Sequence, residues 1–379
     1  MKNLAFLVND ISAIGGSTKV TIMLANEMAK TRKVKIISLF KSQNQIGFSL
    51  DEQVEVLTLF PKQIRIFEIS TYVEMLKKLN FKPILQLMVS LFQLMISYPL
   101  LRKKLNVYLM DIDTIVIPEF YGLYFINYKK CKGKEIILQL HHNFKYITEN
   151  KLNLLTLKIF KNRINKLVVL TNDDQKKFKK FGFDHVIRIY NPVVEKVIYR
   201  NRLFKNRFVY VGRLDYIKGI DYLLEIFKEI SNKHDVYLDI CGDGPMRLEI
   251  ESFIKKNGLE DRVILHGVVK DLSPILLQSI CLVAPSRLEG LPLVFLEAFQ
   301  HQLPIVSFDS FPAISDIITE AETGFIIQQG DIMSAVDKME FLYLESKQNQ
   351  LMGLKCLDFV QSFKLERIIE EWNNMIEMK

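Results

Sequence analysis

The sequence predicts an α/β protein made of two Rossmann-like parallel-sheet domains in tandem. A chain of 379 residues suits two domains of ordinary size better than one. Short, wholly apolar runs alternate with helical stretches from end to end, the pattern of parallel strands covered on both faces. The alternation also restarts after Asn191-Pro192. Expected strands in the first half are Leu4–Val8, Val34–Leu39, Val54–Leu57, Thr114–Ile117, Glu135–Leu140 and Lys166–Leu170. Those in the second are Phe208–Val211, Tyr237–Cys241, Val263–Leu265, Ile280–Ala284 and Ile305–Phe308. Tyr190–Asn206 carries little periodicity and reads as the linker. Phe363–Met378 reads as one amphipathic helix with Trp372 on its apolar face. The expected division is therefore 1–190, 191–358 and a terminal helical segment, 359–379. Such sheets bind ligands at the C-terminal ends of their strands.

Composition is that of a globular chain with a sizeable core, 49% hydrophobic and 25% charged. The cysteines, Cys131, Cys241, Cys281 and Cys356, are scattered, which fits a reducing compartment and gives no zinc pattern. The apolar run Leu4–Val8 is too short for a signal peptide and has the size of a first strand. The expectation is a cytoplasmic protein, peripheral on the inner face of the cell membrane. Net charge is +8, unevenly spread: residues 1–190 hold 30 Lys and Arg against 15 Asp and Glu. The remainder holds 21 against 28. A basic half facing an acidic one points to an anionic partner, and the expectation is an anionic membrane surface rather than nucleic acid.

Pro83–Leu101 is apolar except for Gln86, Ser90, Gln93 and Ser97, which share one narrow helical stripe, and lysines flank it. At ~1.5 Å per residue its length is near the lower limit for crossing a bilayer, and a polar stripe would be wasted in lipid. Two readings stand: a buried helix covering the first sheet with one exposed edge, which is preferred, or an interfacial membrane helix.

Two segments carry chemistry. In Val209–Gly219 a strand ends at Gly212, whose missing side chain lets a ligand approach the backbone. Arg213 and Lys218 follow, two cations near the start of the next helix. A nucleotide-sugar diphosphate builds negative charge on its leaving phosphate, so fixed cations there stabilise the transition state more than the ground state. In Pro285–Ala298 a strand gives way to a loop and then to a helix with Pro292 in its first turn. Backbone N–H groups around Gly290 and Leu291 suit an anion or a sugar hydroxyl. Glu289 suits the hydroxyls of a donor sugar. Glu297, in the otherwise apolar run Leu291–Phe299, suits both hydroxyls of a ribose.

These segments resemble glycosyltransferase family 4, retaining enzymes with the GT-B fold. Val211–Gly219 looks like that family's phosphate-binding Arg and Lys motif, and Glu289 and Glu297 match its E-x7-E motif. Gly242-Asp243-Gly244-Pro245 resembles its GxGP turn, and His266-Gly267 the segment approaching the donor's base. The resemblance is dense over Phe208–Phe308. It implies domains facing across a cleft, with the last helix crossing back to the N-terminal domain. In the N-terminal half Gly15-Gly16 resembles the glycine-rich loop near donor phosphate and acceptor. Either His141 or His142 resembles a family histidine that contacts the donor sugar. The family's glycine-histidine pair before the second strand is replaced by Arg32-Lys33.

The resemblance implies transfer of a hexose-type sugar from an NDP-sugar, UDP-linked, to a hydroxyl of a lipid-linked glycan for capsule, exopolysaccharide or O-antigen. It implies no cofactor and no obligatory metal. Rivals are a nucleotide-sugar epimerase of the same fold and a catalytically silent partner subunit. Asp111-Ile112-Asp113 is a DxD, the metal signature of the other glycosyltransferase fold. It precedes a strand, the wrong edge for a ligand, and reads as a turn. Gly242-Asp243-Gly244 lacks the P-loop Lys-Ser/Thr, so nucleotide hydrolysis is not implied.

Overall fold

The computed structural model describes residues 1–13, 15–41, 46–60, 82–193, 206–311 and 314–378, without the side chains of 82–94. The chain divides into two compact units, one of Met1–Leu170, Asp174–Ile189 and Ile369–Lys379, the other of Thr171–Asp173 and Tyr190–Ile368. The second unit thus runs past residue 358, and the chain enters the first again at Ile369.

The first unit holds a seven-stranded parallel sheet. Its strands are β1 (Leu4–Asp10), β2 (Val34–Phe40), β3 (Val54–Thr58), β4 (Thr114–Ile117), β5 (Glu135–Gln139), β6 (Lys166–Val169) and β7 (Val186–Arg188), in the order β3-β2-β1-β4-β5-β6-β7. The second holds six parallel strands: β8 (Arg207–Val211), β9 (Tyr237–Cys241), β10 (Val263–Gly267), β11 (Leu282–Ala284), β12 (Ile305–Phe308) and β13 (Gly324–Ile327), in the order β10-β9-β8-β11-β12-β13. Both orders reverse beside the first strand of their sheet, the doubly wound plan in which a ligand crevice opens between β1 and β4 or between β8 and β11. All eleven strands expected from sequence are present. β7 and β13 were not expected, and both are edge strands with a neighbour on one side only. β7 spans three residues and ends in Arg188, and β13 opens on Gly324, so neither shows an apolar run of readable length.

Each sheet is buried by its own helices. Ala5, Leu7, Ile37, Ile115, Ile117 and Leu138 pack with Leu101, Leu105 and Phe178 in the first core. Phe208, Tyr210, Leu238, Ile240 and Val306 pack with Leu223, Phe227, Ile230 and Met339 in the second. The last helix, Leu365–Glu377, supplies the wholly buried Trp372. Its C-terminal part is fastened within the first unit by Arg32, whose buried guanidinium donates to Asn373 Oδ1 at 2.7 Å, and by Lys166 Nζ, which donates to the Met375 carbonyl at 2.6 Å. Burial lowers the pKa of Arg32, against the pull of Glu377. Arg32, with Lys166, therefore holds the chain's return, while Lys33 pairs with Asp111.

The helix expected over Pro83–Leu101 runs from Lys82 to Tyr108, with Pro99 inside it. Leu101, Leu105 and Leu109 are buried, so it does cover the sheet. From Met95 to Val107 its other side is exposed and apolar, the one exposed edge that the preferred reading of a buried helix allows. Gln86, Ser90 and Gln93 of the polar stripe lie outside the described side chains. Among the described residues no helix is long and apolar enough to cross a membrane. The linker expected over Tyr190–Asn206 lies for the most part outside the described residues.

Candidate functional site

In the second unit the loops that follow β8, β9 and β10 are locked together by backbone. Gly242 donates its N–H to the Gly267 carbonyl at 2.7 Å, Gly212 to Cys241 at 3.0 Å, and Leu214 to Asp243 at 3.0 Å. This closeness excludes side chains. At Gly242, φ is +147°, and a Cβ would lie 1.8 Å from the Gly212 carbonyl oxygen. Gly244 sits against Leu214, and Pro245 is exposed beside it. The GxGP turn is thus a backing plate for the Gly212–Lys218 loop.

That loop ends at Gly219, the left-handed cap (φ +66°) of the helix Ile220–Lys233. A Cβ there would lie 1.9 Å from the Pro285 carbonyl oxygen, so the loop after β8 presses on the loop after β11 across the strand-order reversal. The contact is also ionic. Lys218 Nζ donates to Glu289 Oε1 at 2.5 Å, and Ser286 Oγ donates to the same oxygen at 2.9 Å. Arg213 is exposed, and its Nε donates to Asp215 Oδ2. Asp215, itself buried, accepts the Lys218 backbone N–H at 2.9 Å through its other oxygen. One carboxylate therefore aims one cation and fixes the backbone of the next. Arg287 completes the brace: its guanidinium pairs with both oxygens of Asp221, at 2.7 and 2.6 Å, and lies 3.7 Å from the Tyr216 ring centroid.

Gly290 is half-buried and Leu291 buried, just before the helix Leu293–Gln300, which Pro292 caps. Glu297 is half-buried on that helix, and its carbonyl oxygen lies 2.7 Å from the buried His301 Nδ1. His266 stands at the end of β10 with Nε2 2.7 Å from Asp239 Oδ1. Asp239 also takes both Arg207 Nε and Nη2, at 2.7 and 2.8 Å. Burial would raise this carboxyl's pKa, but Arg207 and His266 outweigh it and hold it low. The His266 ring is thus engaged on the sheet, while Gly267 meets Gly242.

The first unit places its candidates at the C-terminal ends of its own strands. Gly15 and Gly16 are exposed at the start of the helix Gly16–Ala29, and a Cβ on Gly15 would meet nothing within 4 Å. After β5, His142 is exposed and lies against the Tyr146 ring, centroids 4.5 Å apart. His141 turns inward: its Nε2 is shielded from solvent without a hydrogen-bond partner. Burial, and then the neighbouring His142, push its pKa down to about 3, so the imidazole is neutral near pH 7. Asp111 pairs with Lys35 and Lys33, 2.7 and 2.5 Å away, and Asp113 accepts the Asn3 N–H at 2.8 Å. The DxD is a turn whose carboxylates serve the N-terminal edge of the sheet.

Sequence reasoning missed Asp215, Ser286 and Arg287 as orienting groups, and it missed Glu119. Glu119 follows β4 at the β1–β4 reversal, where Ser17 Oγ donates to its carboxylate at 3.4 Å and Asn9 also hydrogen-bonds to it. Burial raises its pKa against those two bonds, and Asp10 adds to the rise. The signal was available: a carboxylate directly after the apolar strand Thr114–Ile117 and Pro118.

Residues 195–354 match the family model described as "Glycosyl transferases group 1". An "Uncharacterized glycosyltransferase" of Haemophilus influenzae is 27% identical over 99% of this chain and 100% of its own length. The amylovoran biosynthesis glycosyltransferase AmsD of Erwinia amylovora is 25% identical over 99% of this chain and 100% of its own. Among solved structures, a variant of S. aureus TarM in complex with fondaparinux, alpha-GlcNAc-glycerol and UDP aligns with a TM-score of 0.78 at 16% identity, covering 100% of both chains. The fold is GT-B. The chain is a glycosyltransferase, and the match to the group 1 model falls within its second unit.

Proposed function

We propose that this glycosyltransferase moves a hexose-type sugar, with retention of anomeric configuration, from a UDP-linked donor to a hydroxyl of a lipid-linked glycan in bacterial surface-polysaccharide synthesis. The observation that carries the reading is the Lys218–Glu289 pair, which joins the expected phosphate loop to the expected sugar loop at 2.5 Å. Arg213 and Lys218 take the donor diphosphate. Both are held by carboxylates beforehand, so little reorganisation accompanies the growth of charge on the leaving phosphate. These cations do the work a metal ion would otherwise do, so no metal is obligatory. Glu289, oriented by Lys218 and Ser286, accepts hydroxyls of the donor sugar, and Glu297 accepts those of the ribose. Gly290 and Leu291 offer backbone N–H groups beside them. The leaving phosphate itself helps deprotonate the acceptor hydroxyl, a front-face reaction that needs no enzymic nucleophile. The first unit binds the acceptor, and its excess of basic residues associates it with the anionic inner face of the membrane. The relative AmsD is named for amylovoran biosynthesis, and the TarM structure was solved with UDP, which supports the donor and acceptor classes.

A thermal-shift screen of nucleotides and nucleotide sugars tests this reading, followed by incubation of the best ligand with and without a lipid extract. Stabilisation by UDP and its sugars, with sugar transfer that requires the extract, is expected. Epimerised UDP-sugar in the absence of any acceptor would replace transfer by epimerisation. Binding without turnover would indicate a silent subunit.

A further inference from the structure

From Met95 to Val107 the helix Lys82–Tyr108 presents an exposed apolar side. Ile96, Leu100, Lys103 and Val107 recur at intervals of four, three and four, and Met110 follows three residues after Val107, just past the helix end. At ~100° per residue these positions fall on one narrow stripe. The apolar members are 64%, 69%, 53% and 72% exposed, although Leu101, Leu105 and Leu109 on the opposite face are buried. A cluster of exposed large apolar side chains on one line marks an interaction surface.

Beside the stripe lies a groove of about 630 Å³, lined among others by Lys103, Val107, Met110, Lys130, Lys132 and Lys134. Lys134 is engaged, donating to the Met110 carbonyl at 3.3 Å, while Lys103, Lys130 and Lys132 are exposed. The carboxylate in the lining, Asp113, already accepts the Asn3 N–H at 2.8 Å. The groove sits at the starts of β4 and β5, the opposite end of the sheet from Gly15, Glu119 and His141, and the stripe runs from it along the helix toward Tyr98, which packs against Phe125 after β4.

We infer that this surface is where the first unit docks on an anionic lipid membrane: the lysines of the groove take lipid phosphates while Ile96, Leu100, Val107 and Met110 enter the interface. The inference rests on the membrane association proposed above and assigns it a place. Charge selects the occupant. In an isologous pair of chains the same patch would face itself, setting lysines against lysines. A nucleic acid would match the lysines but leave the apolar stripe in water. A lamellar anionic surface satisfies both, as it does for interfacial helices with basic borders.

The test is flotation of the full chain with vesicles of phosphatidylcholine alone and of an equal phosphatidylcholine–phosphatidylglycerol mixture. Two variants are compared, Lys103→Ser/Lys130→Ser/Lys132→Ser and Ile96→Ser/Leu100→Ser, with UDP-induced thermal stabilisation as the readout of an intact second unit. The wild type should float with the mixture and not with phosphatidylcholine. The lysine variant should partition roughly a hundredfold less. The apolar variant should still associate at low salt but be released at a salt concentration that the wild type withstands. Both variants should keep the UDP response. Wild-type flotation that both variants retain overturns this placement while leaving the membrane reading intact. Flotation with neither vesicle overturns both. Conversion of a dimer to a monomer by Ile96→Ser/Leu100→Ser assigns the stripe to a second copy of the chain instead. Loss of UDP stabilisation in the wild type is a failure of the donor reading and leaves the flotation result standing by itself.

Discussion

The strand-end loops of the two units are built in opposite ways. In the second unit three ion pairs tie the charged loop groups together: Lys218 with Glu289, Arg213 with Asp215, Arg287 with Asp221. The backbone there is so close that Gly219 and Gly242 admit no side chain. In the first unit Gly15 has open space around it, His141 Nε2 and Asn9 Oδ1 are buried without hydrogen-bond partners, and burial raises the Glu119 pKa. A buried polar atom without a partner costs free energy that a ligand can recover. Ser310 Oγ of the second unit is likewise buried without a partner among the described residues, so the contrast lies in the ion pairs and backbone contacts, which under the proposed function preorganise the donor loops.

Kinetics should separate the groups of the second unit by large factors. In the proposed role Glu289 faces a sugar ring that gains positive charge as the bond to phosphate loosens, so Glu289→Gln should lower kcat by about 10²–10³. In its proposed role Glu297 holds a ribose that does not change during reaction, so Glu297→Gln should appear mainly as a raised donor KM. Steady-state kinetics on both variants decide the matter. Equal effects on kcat and KM in the two would mean that the roles are misassigned.

Stability should show the same contrast. Gly219→Ala puts a Cβ into the Pro285 carbonyl at a left-handed φ and should cost on the order of 3 kcal/mol. Gly15→Ala, with an extended φ of −169° and nothing within 4 Å, should stay within about 0.5 kcal/mol of wild type. Urea melts of both variants check this. A tolerant Gly219 would remove the claim that the donor loops interlock.

The same closeness explains what was legible in the sequence. Interlocked loops tolerate few residue types, so Gly212, Lys218, Gly242, Gly244, Glu289 and Glu297 stand at fixed offsets after apolar strands. Residues that act through others are harder to see. Asp215 and Ser286 look like ordinary loop residues until their bonds to Arg213 and Glu289 are known. In the first unit six of the seven strands were readable, but loop spacing alone could not separate His141 from His142. Only burial divides them. The outward apolar face of Lys82–Tyr108 was legible only as one exposed edge, because a run that is apolar on both sides reads as core from either side. β7 was missed because it offers two apolar residues before Arg188, and β13 because it opens on Gly324, although the edge strands β3 and β10 were readable.

Titration gives the smaller effects, and two groups of the first unit should run in opposite directions. His141 is held neutral, with a folded pKa of about 3 against about 6.5 unfolded, so stability is lost as pH falls below about 6.5. His141→Asn should flatten that acid-side loss in thermal melts. The Glu119 pKa is raised above the unfolded value of about 4.3, so its contribution declines as pH rises through that range. Glu119→Gln should therefore be slightly more stable near pH 7 while raising the acceptor KM by about tenfold. A variant with unchanged acceptor KM would remove Glu119 from the acceptor site.

The central claim is that the cations of the second unit hold the donor diphosphate, and calorimetric titration of UDP into the wild type, Arg213→Ala and Lys218→Ala tests it most directly. Loss of a charge-assisted bond to phosphate typically costs about 1.5–3 kcal/mol, hence roughly a ten- to hundredfold weaker UDP affinity in each variant. Unchanged affinity in both would contradict it.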